Sequence, residues 1–223
     1  IFVNPTQFNN KKDFNKYPRN LKKDLSILKK LNVNYVFIPS EKDIYNFKRK
    51  TKIKIKKNDK ILCAKFRKGH FEGVIDVMDR FVNLIKPKKI FLGEKDLQQI
   101  YFIKNYIKKK ISFRIINCKT IRNHNKLALS SRNSLLSKNE LIKAEKLAKD
   151  LIGFKEKLRK VNKNKRIEIF FKQKKIELKK KFNIKIEYFE LRNKENLKES
   201  KNIYNSRVFI AYYLNNIRLI DNF

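Results

Sequence analysis

The sequence predicts an α/β chain, a parallel-sheet domain followed by a smaller α+β domain. Three observations carry that prediction. Short apolar runs alternate with helix-periodic segments through the first half, as in parallel sheets with right-handed crossovers. The run Phe91 to Gln99 reads as a strand (Ile90 to Leu92), a stop at Gly93 and a helix start, because Leu97, Ile100, Tyr101 and Ile103 share one helical face. After about Cys118 the pattern changes to helices followed by paired strands. The predicted division is 1–118 and 119–223.

Taken in order, Ile1 to Val3 reads as a strand, and Pro5 ends it. Leu21, Leu25, Leu28 and Leu31 mark a helix. Tyr35 to Ile38 predicts a strand stopped by Pro39, and Ile53 to Ile55 a short one. Lys65 to His70 reads as a basic loop. Phe71 to Ile85 predicts a helix with Val74, Val77, Met78, Phe81 and Val82 inward and Pro87 behind it. Asp96 is placed to cap the helix that runs to about Lys109. Phe113 to Ile116 is the next strand, and Thr120 to Asn133 a polar loop. Ser137 and Glu140 form a capping box for a helix to about Ile152. Leu158 to Lys165 reads as a basic linker, Ile167 to Phe182 as a helix and Ile184 to Leu191 as a strand. Asn215-Asn216 predicts a two-residue hairpin turn between Val208–Leu214 and Ile217–Ile220.

Composition bounds the function. The chain has 223 residues with 41% hydrophobic, enough for a core, and no apolar run long enough to span a membrane. Cys63 and Cys118 are too few for a disulfide framework, which fits a reducing cytoplasm. It opens on strand-like Ile1-Phe2-Val3 rather than Met, which predicts that the natural N-terminus lies upstream. The formal charge of +37 invites the alternative reading of a basic nucleic-acid-binding protein. The lysines are spread along the whole chain, though, and Asn, Ile and Phe are abundant with them. A biased codon usage explains that pattern better than a dedicated nucleic-acid surface, so no specific nucleic-acid partner is expected. Only 4 glycines remain in this composition, and the bias predicts that they are needed.

Four polar clusters could carry chemistry: Asn4-Pro5-Thr6-Gln7-Phe8, Arg67-Lys68-Gly69-His70-Phe71, Gly93-Glu94-Lys95-Asp96 with Gln99, and Leu129-Ser130-Ser131-Arg132-Asn133. A helix start with a lysine in its turn suits phosphate. Lys95, His70, Arg67 and Arg132 are cations or potential cations in loops, and Ser130 and Ser131 add hydroxyl donors. Such a set stabilises a polyphosphate transition state electrostatically. Asn4, Gln7 and Gln99 offer neutral amides to a small polar substrate. Plainer roles stand beside these. Asn4 and Gln7 suit a turn, His70 a helix cap, Ser130-Ser131-Arg132 any polar loop, and Glu94 and Asp96 a structural acid.

The clusters in this order and spacing resemble the pantoate–β-alanine ligase family. The resemblance rests on the NPTQF loop, the run from Arg67 to Val74, the GEKD run to Gln99, Thr120-Ile121-Arg122 with LSSRN, Tyr188 to Arg192, and Arg218-Leu219-Ile220-Asp221-Asn222. It covers essentially the whole chain. It implies a Rossmann-like nucleotidyltransferase domain with a smaller α+β lid, in a cytoplasmic homodimer. The implied reaction uses ATP and Mg²⁺ to form a pantoyl-adenylate, from which the β-alanine amine displaces AMP. It also implies roles. Gln7 and Gln99 bind pantoate, and Gln7 also contacts β-alanine, with Asn4, Arg67 and His70 lining the site. Gly93, Glu94, Lys95, Asp96, Ile121, Leu129, Ser130, Ser131 and Arg132 bind ATP. Lys95, Arg132 and His70 form the candidate catalytic set.

Two departures from the family pattern stand out. The family's upstream segment with its proton-donor histidine has no counterpart in this sequence. The Asp-Gly that precedes the SSRN loop in the family is Asn125-Lys126 here. A non-catalytic remnant of the fold remains the rival expectation, beside the nucleic-acid-binding reading.

Overall fold

The computed structural model describes residues 1–47, 53–107, 112–160 and 167–223. The predicted helix end near Lys109 and most of the basic linker before Lys165 lie outside them. The chain forms two compact units, Ile1–Lys88 with Phe102–Phe113, and Lys89–Tyr101 with Arg114–Phe223.

The first unit is helical among its described residues. Its helices are α1 (Lys11–Lys16), α2 (Leu21–Lys30), α3 (Glu41–Ile44), α4 (Leu62–Phe66) and α5 (His70–Ile85). Asn10, Asn20 and Ser40 cap the first three through their side chains. Helix α5 buries Phe71, Val74, Ile75, Val77 and Val82, while Met78 and Phe81 are half-buried. Three predicted strands do not form here. Residues 1–3, 35–38 and 53–55 have no ladder, and Tyr35 is 92% exposed. β-propensity alone does not make a strand, because the backbone bonds need a partner. The 65–70 loop is also shorter than expected, since Lys65 and Phe66 close α4.

In the second unit, β1 (Lys89–Gly93) runs parallel to β2 (Arg114–Cys118), in register from Lys89↔Arg114 to Gly93↔Cys118. A 3₁₀ turn, Glu94–Asp96, feeds straight into α6 (Leu97–Tyr106). Asp96 is therefore inside the winding rather than at a cap, and Leu97 is already helical at φ −57°, ψ −33°. Residues Phe102 onward in α6 count with the first unit, where Phe102 stacks at 4.4 Å on Phe71.

Helix α7 (Lys138–Lys160) opens on the predicted capping box. Glu140 accepts from Ser137 N at 2.8 Å, and Ser137 Oγ accepts from Glu140 N at 3.3 Å. It runs past Ile152 because Phe154 and Leu158 continue its apolar face. Helix α8 (Ile167–Phe182) follows. The antiparallel strands β3 (Lys185–Asn193), β4 (Ser206–Leu214) and β5 (Ile217–Asn222) lie in the order β3-β4-β5. Asn215, at φ 49°, makes the predicted hairpin turn. Leu147, Leu151, Leu158 and Leu178 pack with Ile210 and Leu214 of β4 in the core of this unit. No helix among the described residues is long and apolar enough to cross a membrane.

Candidate active site

In the first unit, the Asn4–Phe8 loop is nailed to the start of α5. Pro5 begins a 3₁₀ turn, and Asn4 holds both sides of it. Its Oδ1 accepts from Thr6 N at 3.3 Å, Thr6 Oγ1 at 3.0 Å and Tyr45 OH at 2.6 Å, and its Nδ2 donates to Gly73 O at 3.1 Å. Asn4 is 3% exposed, so its amide is spent on the protein itself. A Cβ on Gly73 would lie 2.5 Å from Thr6 O and 2.9 Å from Gln7 N. Glycine is thus what lets helix and loop touch. Gly69, at φ +82°, turns the chain into α5. Gly93 and Gly153 meet no such demand, so the expectation that every glycine is needed holds for two of the four.

His70 Nδ1 lies 2.8 Å from Gln7 O, and its Nε2 lies 2.9 Å from Arg67 Nη1. A carbonyl only accepts, so Nδ1 carries the proton and Nε2 receives the guanidinium N–H. Arg67 Nη2 reaches the same Gln7 carbonyl at 3.4 Å. Arg67 and His70 therefore fix the Gln7 backbone. The Gln7 side-chain amide makes no hydrogen bond among the described residues. Burial pushes the Tyr45 phenol above its ordinary pKa, opposed by its bond to Thr6, which keeps it a donor to Asn4.

In the second unit, the Gly93–Asp96 turn leaves Gly93 and Asp96 exposed. Glu94 is neutralised by Arg207 Nη2 at 2.7 Å. Lys95 and Asp96 form no ion pair among the described residues, and the Gln99 amide is likewise without a hydrogen bond there. Asn222, 2% exposed, donates Nδ2 to both Glu94 O and Lys95 O at 2.9 Å. Arg207 Nη1 in turn donates to Asn222 Oδ1 at 2.7 Å. Burial raises the Asp221 carboxyl above its usual value, with the Arg122 guanidinium opposing.

Residues 121–129 fold into a small hairpin. Leu129 N donates to Ile121 O at 2.9 Å, and Arg122 bridges Ala128. The exposed Ile121 and Leu129 side chains are thereby brought together, ahead of the 131–135 turn. Ser130 Oγ accepts from Arg132 N at 3.3 Å, and Asn133 Nδ2 donates to Ala128 O at 3.0 Å. Asn123 and Asn125 donate to the two oxygens of Glu145 at 2.7 and 2.8 Å. A carboxylate at 125 would instead face Glu145. Lys126 stands at φ +74°, where a side chain is strained. Lys126→Gly should therefore stabilise the protein by about 0.5 kcal/mol, roughly 1 kcal/mol of relieved strain less glycine's larger unfolded-state entropy. A higher urea midpoint at unchanged slope would show it; a lower midpoint would refute it.

Arg207, Asn222, Tyr45 and Gly73 were not singled out from the sequence as site residues. Gly73 carries a signal, as a glycine kept where glycines are rare, and Asn222 closes the Arg218–Asn222 run of the resemblance, though with no role of its own. Arg207 looks like any strand arginine, and Asn222 meets residues 94 and 95 only through the fold.

Comparison with known proteins places all 223 residues under one family description, pantoate-beta-alanine ligase. A pantothenate synthetase from Thermosipho africanus is 37% identical over 228 residues, spanning 100% of this chain and 80% of the relative. One from Francisella tularensis subsp. novicida is 38% identical over 100% of this chain and 77% of the relative. Among solved structures, a pantothenate synthetase from Thermus thermophilus superposes with a TM-score of 0.90 at 27% identity, covering 100% of this chain and 81% of that one. The pantoate-beta-alanine ligase from Francisella tularensis complexed with beta-gamma ATP and beta-alanine does so at 0.78 and 35%, covering 100% and 77%.

Proposed function

The chain belongs to the pantoate–β-alanine ligase family, and from that premise we propose how its residues divide the ATP-dependent joining of pantoate to β-alanine. The observation that carries the proposal is the charge of the Gly93–Asp96 turn. Arg207 cancels Glu94, while the Lys95 ammonium keeps its charge for a ligand. A pantoate carboxylate oxygen attacks the α-phosphorus of ATP, and the bond to pyrophosphate breaks. Lys95 and Arg132, with the hydroxyls of Ser130 and Ser131, disperse the negative charge on the phosphate oxygens. Ile121 and Leu129 offer an apolar pair to the adenosine. The β-alanine amine then attacks the pantoyl carbon, AMP leaves with the acyl oxygen, and the amine gives up its proton. That second step is mainly positioning.

Gln7 and Gln99, whose amides make no hydrogen bond among the described residues, are each assigned to pantoate on family resemblance. Asn4, Arg67 and His70 serve by holding the Gln7 loop. Both His70 ring nitrogens are engaged with Gln7 and Arg67, so His70 is assigned to positioning and charge to Lys95 and Arg132. The described residues include no group of three or more His, Cys, Asp or Glu that could hold a metal, and Asp96 is the acid of the turn that would meet a Mg²⁺ brought in with ATP. The ion would supply positive charge to offset the phosphates. The homodimer and the cytoplasmic setting belong to the same proposal and rest on family resemblance, while the proposed division at 118/119 rests on the change of sequence pattern after about Cys118.

The test is exchange of labelled pyrophosphate into ATP by the purified protein with Mg²⁺. Exchange that appears only with pantoate, and gives way to pantothenate and AMP when β-alanine is added, is expected. Folded protein that binds ATP without exchange would instead be a remnant of the fold.

A further inference from the structure

Two runs assigned to ATP, residues 93–96 and 121–132, are far apart in sequence, yet the second unit joins them through one dipeptide. Asn222 grips the first run by the carbonyls of Glu94 and Lys95. Asp221 grips the second. Its two oxygens accept from Arg122 Nη1 and Nη2 at 2.7 and 2.8 Å, and Arg122 also donates to Lys126 O at 3.0 Å and Asn222 O at 3.1 Å. The two halves of the dipeptide are tied to each other, because Asn222 N donates to Asp221 Oδ1 at 2.8 Å. Both side chains are buried, at 7% and 2% exposure, and the Arg122 guanidinium lies 4.6 Å over the Phe223 ring.

The orientation of the Asn222 amide is determined. Arg207 donates to one end, so that end is oxygen, and the other must be the nitrogen that meets two carbonyls. Turned over, the amide would set its oxygen against both carbonyls and its nitrogen against a guanidinium. Arg207 thus does two things, locking the amide and cancelling Glu94.

Resting on the function proposed above, we propose that Asp221 and Asn222 are positioning residues that set the spacing between the Lys95 turn and the 121–129 hairpin, and so the affinity for ATP. They touch no reacting atom. They act on where Lys95 and the hairpin stand.

The experiment compares wild type, Asn222→Asp and Arg207→Lys in the exchange assay, with ATP binding measured separately by calorimetry. Asn222→Asp keeps the shape but turns two donated bonds into two repulsions. It is expected to raise the KM and Kd for ATP at least tenfold while the KM for pantoate changes less than threefold. Arg207→Lys keeps the charge opposite Glu94 but loses the fork, and should give an intermediate rise in both ATP constants. A merely structural role predicts lower melting temperatures with ATP constants unchanged in the fraction that folds, and that result overturns the proposal. Should Asn222→Asp not fold, Arg207→Lys decides by the same criterion. If wild type itself shows no pantoate-dependent exchange, the functional reading fails; the calorimetric comparison still judges the clamp.

Discussion

Gly73→Ala should destabilise the protein by about 1–3 kcal/mol and weaken pantoate binding together. The added methyl would sit 2.5 Å from Thr6 O and 2.7 Å from Thr6 C, which are backbone atoms and cannot rotate away. Helix α5 and the 5–7 turn must separate, and the Asn4 Nδ2 bond to Gly73 O at 3.1 Å lengthens with them. The energy is that of an overpacked contact. At roughly 2–4 °C per kcal/mol for a chain of this size, a thermal melt resolves it. The same displacement moves Gln7, because its carbonyl is held by His70, on the same helix as Gly73, and by Arg67. A pantoate KM raised severalfold beside a nearly constant ATP KM is therefore expected. An unchanged melting temperature would mean that the helix yields without cost, and would remove the stated reason for glycine at 73.

Lys95→Ala should do the reverse, leaving the fold alone and removing the chemistry. The Lys95 ammonium has no ion-pair partner among the described residues, so its loss should change stability by no more than about 0.5 kcal/mol. Exchange should fall by about 10²–10³-fold, the usual cost of losing one preorganised donor to a developing oxyanion. Lys95→Arg is the informative companion, since it restores the charge in a different shape. A Lys95→Ala enzyme within threefold of wild type would leave Arg132 and the serines to carry the charge, and would overturn the assignment to the 93–96 turn.

The sequence showed most where a local rule suffices. Helix α8 runs over the expected residues, the Ser137–Glu140 box forms, and Asn215-Asn216 turns the hairpin, because each depends on neighbours a few positions away. The strand–turn–helix around Gly93 was legible for the same reason. The expected strand at 35–38 shows the limit. Its residues are apolar and β-branched or aromatic, but a ladder needs a second backbone, and no local pattern supplies one. The site divides likewise. The loop residues Gln7 and Lys95 can be read from short motifs. Their supports, Arg207 and Asn222 for the 93–96 turn and Tyr45 for Asn4, cannot, since only tertiary structure brings them close.

The grip of Asn222 on Glu94 and Lys95 also orders events in time. The two bonds close separations of 128 and 127 residues. Closing a flexible loop of that length costs about 4 kcal/mol of chain entropy beyond a constant, against about 1 kcal/mol on the same scaling for a four-residue turn. Because β5 carries Asn222 in register with Phe209 of β4, that pairing is expected to form before the clamp does. The 93–96 turn is thus expected to reach its clamped geometry later than the local helices and the β4–β5 hairpin.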